Sequence, residues 1–206
     1  MSAKAAITNL RDHSTVDAET GAMRSVQAAD LVLSERALGE LWSAENLERL
    51  ASTYWRFLTR VTLGLVQVRY TERERFVVLL FRPLTLLAFR APEYELGADH
   101  GVVRWRIERG LLVARAGRES KGHLQIDVRR IAGDDSAGES SWDSAAAHLH
   151  VEVEVANFHP AIASGLSLRL YNATQSRIHV IVTHGFLRSL ARLDLAKSRV
   201  GRLAAS

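Results

Sequence analysis

The chain has 206 residues, 47% of them apolar and none of them cysteine. That suits one domain with a sizeable core and excludes disulfide scaffolds, thiolate metal sites and cysteine nucleophiles. Basic residues outnumber acidic ones by 27 to 23, but 24 of the 27 are arginines scattered from Arg11 to Arg202 rather than gathered in a stripe, so no nucleic-acid partner is expected.

Residues 1–20 lack the apolar stretch of a signal peptide, and the longest apolar run, VVLLF at 77–81, is far short of the roughly 20 residues of a membrane span. A soluble, cytoplasmic protein with no membrane span is the expectation. Residues 1–30 are polar, rich in small side chains and without a sustained period, which predicts a flexible arm. Met23, Val26 and residues 31–33 would tack its end to the body. The domain is then expected over 31–200, with a short tail at 201–206.

Regular structure is expected from Ser34. Either Ser34 or Ser43 can cap a helix start, because a serine oxygen accepts a bond from an orphan backbone N–H. Leu47, Leu50, Ala51, Tyr54, Phe57, Leu58 and Val61 then recur at spacings of three and four, one face of an amphipathic helix that should end near Arg60.

From Val61 the pattern turns to strands. VTLGLVQVRYT and RFVVLLF flank TERE, which reads as a hairpin turn. Pro83 and Pro92 bound LTLLAFR, and EYEL is a short strand before a turn. Val103, Trp105 and Ile107 alternate with Arg104, Arg106 and Glu108. The chain then turns at Arg109–Gly110, and LLVARA is expected to return as the hairpin partner. Leu124, Ile126 and Val128 alternate with His123, Gln125, Asp127 and Arg129. Residues 132–147 are small and acidic, and predict a flexible loop. A long amphipathic C-terminal helix should follow Pro160, with Ile178, Ile181, Val182, Phe186, Leu190 and Leu193 on one side and Gly185 permitting a close approach.

The fold class expected is therefore α+β: a curved antiparallel sheet of seven or eight strands, with an N-terminal helix and a long C-terminal helix packed on it. A closed lipocalin-like barrel is the fallback.

HLHVEVEV at 148–155 poses a chemical question, because alternate strand residues share a face. His148 and His150 with Glu152 or His123 could hold zinc or iron(II). A solvated strand face is the simpler reading, and no metal or other cofactor is expected. Outward positions must oppose outward positions. The register that sets Asp127 against His150 and His123 against Glu154 wins on charge over one that sets Asp127 against Glu152.

No G-x-S-x-G, P-loop or HExxH motif is present. Phe89, Tyr94, Trp105 and Phe186 fall on expected core elements and are candidate walls of an apolar cavity, with Gln67 and Arg69 as orienting polar groups. His159, at the end of the last strand, and Tyr94 are the candidate catalytic pair. Arg104, Arg106 and Arg109 would make a basic sheet face.

WRI-x-x-GLLVAR, then GHLQIDV, then VEV-x-x-F-x-P and a long C-terminal helix resemble the START-like (SRPBCC, helix-grip) group, over residues 55–195, and in particular its small uncharacterised bacterial members. The resemblance implies a curved sheet wrapped round the C-terminal helix, with a cavity for a lipid, a polyketide or another apolar small molecule. The sequence departs from the group in showing no pair of short helices after a first strand. A cyclase- or dehydratase-like enzyme on the same fold, and an interaction module using the basic face, are the alternatives. A homodimer stays open.

Overall fold

The structure is a computed structural model that describes residues 6–20, 22–71, 73–79, 85–110, 113, 122–131 and 146–158, with residues 182, 185, 186, 188, 189, 195 and 196. The described elements are Ala6–Val16 (β1), Met23–Ser34 (β2), Glu35–Leu41 (α1), Ala44–Val61 (α2), Val66–Tyr70 (β3), Glu74–Leu79 (β4), Thr85–Arg90 (β5), Glu93–Leu96 (β6), His100–Arg109 (β7), His123–Ile131 (β8) and Ala146–Phe158 (β9). All strand pairs are antiparallel, in one open sheet ordered β1-β2-β9-β8-β7-β5-β4-β3, with β6 attached to β7. The α+β class holds, and the sheet is not the closed barrel of the fallback.

Both serine caps form. Ser34 Oγ accepts from Ala37 N at 3.3 Å and Ser43 Oγ from Asn46 N at 3.2 Å, so the chain makes two helices where one was expected. α1 and α2 follow β2 directly. α2 buries Leu47, Leu50, Ala51, Tyr54 and Trp55 against the sheet.

The N-terminal arm is the largest correction. Residues 6–16 and 23–34 are strands, and β2 pairs along its length with β9, so the domain begins near residue 6. β1 shows no apolar period because it lies at the sheet's end and is exposed from Thr8 onward. Only its pairing with β2 makes it a strand.

Two further expectations fall on partly described stretches. β7 has β8 along one side and β6 and β5 along the other, and the LLVARA stretch expected as its hairpin partner lies outside the described residues except for Val113. Of the expected C-terminal helix, Val182, Gly185, Phe186, Arg188 and Ser189 are helical, and the rest lies outside the described residues. These residues pack on α2: Tyr54 meets Phe186 edge-on at 5.9 Å, and a Cβ on Gly185 would stand 2.6 Å from Phe57 Cδ1. The close approach expected at Gly185 is therefore present. The loop expected over 132–147 and the tail at 201–206 fall outside the described residues, except for Ala146 and Ala147, which begin β9.

The β8–β9 register is the one rejected on charge. Asp127 stands opposite Glu152, Gln125 opposite Glu154 and Arg129 opposite His150. Charge is balanced elsewhere: Arg129 Nη2 lies 2.8 Å from Asp127, and Arg24 on β2 lies 2.5 Å from Glu154. A two-strand argument omits β2, which occupies the other side of β9 and carries half of the compensation.

Candidate functional site

The core lies between α2 and the sheet. Trp55 is its hub, with ring centroids 5.2 Å from Trp105, 5.4 Å from Phe89 and 5.4 Å from Tyr54. Such tilted and edge-on contacts are the favoured geometries of packed aromatic rings. Phe89, Trp105 and Phe186 are all buried. Three of the expected cavity walls are therefore packed against neighbours and stabilise the domain.

The polar candidates separate from them. Gln67 and Arg69 pair with Val78 and Phe76, on the sheet face turned away from α2. They cannot orient a ligand held on the helix side. Tyr94 lies opposite Val103 on the helix-side face of β6 and is 42% exposed. Its hydroxyl is pushed up to about 12, first by burial and then by the Glu48 carboxylate of α2, with the Arg75 guanidinium pulling the other way. Tyr94 thus stays protonated at neutral pH and can donate a hydrogen bond. His159, its expected catalytic companion, lies outside the described residues.

The described chain does hold an apolar recess, at the corner where α1 gives way to α2. Ser43 caps α2 just after α1 ends at Leu41, and the recess lies at that break. Leu38, Trp42, Leu47 and Leu50 line the helix side. Leu96, Gly101, Val128 and Leu149 line the sheet side, with Ser43 and Asn46 as the polar groups. Trp42 is held there by its indole N–H, which donates to Gly97 O at 3.0 Å. The recess measures about 60 Å³, well below the roughly 300 Å³ at which drug-sized pockets begin, so it can seat only part of a molecule.

None of the residues singled out as ligand-binding in the sequence lines this recess. Leu149, from the apolar half of HLHVEVEV, does. The Ser43 cap was a readable signal for the corner. Nothing in the sequence marked Gly101 as its floor, because β7 and α2 converge there from distant parts of the chain.

The polar half of HLHVEVEV lies on the opposite sheet face. His150 Nδ1 donates to Asp30 Oδ1 at 2.7 Å, and His123 Nε2 sits 3.8 Å from Glu154. These carboxylates are cross-strand partners of His150 and His123, and among the described residues no three His, Asp or Glu side chains are arranged to hold a metal ion. The expected basic face is also engaged: Arg104 donates to Gln125 at 2.7 Å, and Arg106 and Arg109 pair with Glu93 at 2.6 Å and Glu74 at 2.8 Å.

Asp30 yields a pH prediction. Burial, the largest influence, raises its pKa, but hydrogen bonds from His150 and Asn9 and the positive charges of His150 and Arg11 outweigh it and leave the carboxyl below its ordinary 3.8. A lowered native value means that the unfolded chain binds more protons as the medium turns acid. The stability from Asp30 is therefore present above about pH 4 and is lost as pH falls through the native value. In acid unfolding followed by circular dichroism, Asp30→Asn should be less stable than wild type at neutral pH. The difference should shrink below pH 4, and a constant difference would show that the Asp30 carboxyl is not held below its ordinary value.

Gln27 falls within the stretch expected to be an arm. It is fully buried on the helix-side face of β2, where its amide nitrogen donates to Asp12 at 3.0 Å and to Ser25 Oγ at 2.9 Å. Gln27 Oε1 and Trp55 Nε1 are buried with no hydrogen-bond partner among the described residues.

No family model matches this chain, and no curated protein does. Among solved structures it is similar to an uncharacterised protein from Rhizobium leguminosarum at 11% identity, over 78% of this chain and 98% of that one, with a TM-score of 0.26. A likeness that slight carries no argument about fold or function. Among the described residues no helix is long and apolar enough to cross a membrane.

Proposed function

We propose that the chain is a START-like binding protein for an apolar small molecule, with the recess at the α1–α2 corner as the seat for one end of it. The observation that carries this reading is the recess itself, an apolar-lined gap between a helix pair and the sheet. Apolar lining with a few polar groups is the usual composition of ligand sites. The order of elements supports the START-like part: a long strand, β2, is followed by two helices, and the strands then run back across the sheet until β9 pairs with β2.

Gly101 offers the test. A Cβ there would meet Leu96 Cδ1 at 3.4 Å and Leu47 Cδ1 at 3.6 Å, which is ordinary contact, so Gly101→Ala should fold while taking up part of the floor of the recess. Titration with a fluorescent fatty acid is expected to saturate on the wild-type protein. The same titration should weaken at least tenfold in the variant, at an unchanged melting temperature. Equal affinity in both would remove the recess as the seat, and no binding to either would remove the reading.

A further inference from the structure

The two ends of the sheet differ. β3 is five residues long, whereas β1 runs for 11 and is exposed at every residue from Thr8 to Val16. β2 takes one side of β1, and the other row of backbone N–H and C=O groups has no strand beside it among the described residues. Long natural edges are blunted by proline, by charged side chains, lysine above all, or by β-bulges. β1 has no proline and no lysine, and its Arg11 and Asp12 cancel. Its one irregularity is at Asn9, where φ is 50° and the register with β2 shifts, which leaves residues 10–16 as a regular stretch. Two apolar side chains stand open on that stretch, Leu10 at 50% and Val16 at 56%.

We propose that β1 pairs antiparallel with β1 of a second copy of this chain, centred on His13, so that two sheets join into one. The register follows from the faces. Asp12, Ser14 and Val16 oppose Gln27, Ser25 and Met23 on the helix-side face, and Leu10 joins them by alternation; Arg11, His13 and Thr15 lie on the other face. A two-fold axis between antiparallel strands sets like faces together, so the pairing must centre on a residue. Centring on Arg11 opposes two guanidinium groups, and centring on Asp12 opposes two carboxylates. Centring on Ser14 sets Asp12 against Val16, and centring on Leu10 forces Asn9 into the ladder. Centring on His13 sets Leu10 against Val16 of the second copy, Asp12 against Ser14 and Arg11 against Thr15. By symmetry both open apolar side chains are then covered at each end of the ladder.

The chain has no cysteine, so single thiols test the register on a clean background. His13→Cys would place two thiols directly opposite, with Cα atoms about 4.5–5.5 Å apart, inside the range a disulfide spans. Val16→Cys would leave its thiol six residues from its mate, about 20 Å away. Both sites are exposed, so both thiols should react with a soluble thiol reagent. After mild oxidation of the full-length variants, His13→Cys is expected to run as a covalent dimer on a non-reducing gel. Val16→Cys alone should remain monomeric, and an equimolar mixture of Leu10→Cys and Val16→Cys should cross-link. Equal cross-linking of His13→Cys and Val16→Cys would indicate random collision and overturn the proposal. So would a monomeric His13→Cys whose thiol is reactive, the result expected if a different protein completes this edge.

Discussion

Replacing Trp105 with alanine is expected to cost about 3–5 kcal/mol, the usual range for deleting a buried aromatic side chain. Trp105 is 1% exposed, faces Trp55 at 5.2 Å, and lies on β7 in the middle of the sheet order. The loss has two parts: the transfer energy of the ring and the cavity that remains, since α2 is tied on both sides and cannot settle into the gap. Against a typical domain stability of about 5–15 kcal/mol, the variant should unfold at a much lower urea concentration, with little change in the slope of the transition. The same experiment distinguishes the two roles considered for Trp105. A cavity wall already borders empty space on one side, so roughly a quarter to a half of its contact energy is absent from the start; its truncation would cost correspondingly less and would act on ligand binding. The packing seen here predicts the large loss, and it predicts that any fatty-acid affinity persists where the protein stays folded, because the recess does not include Trp105.

Gly110→Ala should be nearly as damaging, by about 3 kcal/mol. Gly110 has φ 147°, which L-residues seldom adopt, and a Cβ there would stand 2.3 Å from Leu86 O and 2.8 Å from Leu87 Cα. Backbone strain of this kind costs about 1–3 kcal/mol, and the clash with main-chain atoms adds to it because neither partner is a flexible side-chain tip. Gly110 ends β7 where β5 joins it through the pairs Ala88–Arg109 and Phe89–Ile107, so the strain falls on the junction that positions Phe89. Thermal unfolding would report the loss, and a melting temperature within a degree of wild type would show that this junction opens freely. Serine would share the penalty, since its Cβ meets the same atoms.

Much of the fold was legible because its signals are local. Ser34 and Ser43 act as caps through bonds to residues three positions on, and α2 shows its buried face as a period of three and four. The alternation of Val103, Trp105 and Ile107 on β7, and of Leu124, Ile126 and Val128 on β8, states which side of each strand is buried, and the structure keeps that assignment. The turn at Gly110 was visible as a glycine after a charged strand end.

The features that escaped depend on what lies across a gap in the chain. β1 and β2 carry little apolar pattern, and β9, more than 100 residues on, organises β2. The β8–β9 register could not be settled from two strands, because charge on a sheet face is balanced over both neighbours and along diagonals: Asp127 faces Glu152, yet is held by Arg129 on its own strand. The aromatic residues expected to bind a ligand are large and turn inward, the same properties that make a packed core. The sequence by itself determined which residues turn inward and where helices start, since those depend on neighbours within a turn or two. Only the tertiary structure decided the register, the long unpaired edge at β1 and the recess between Trp42 and Gly101, because a gap is a property of how separate elements meet.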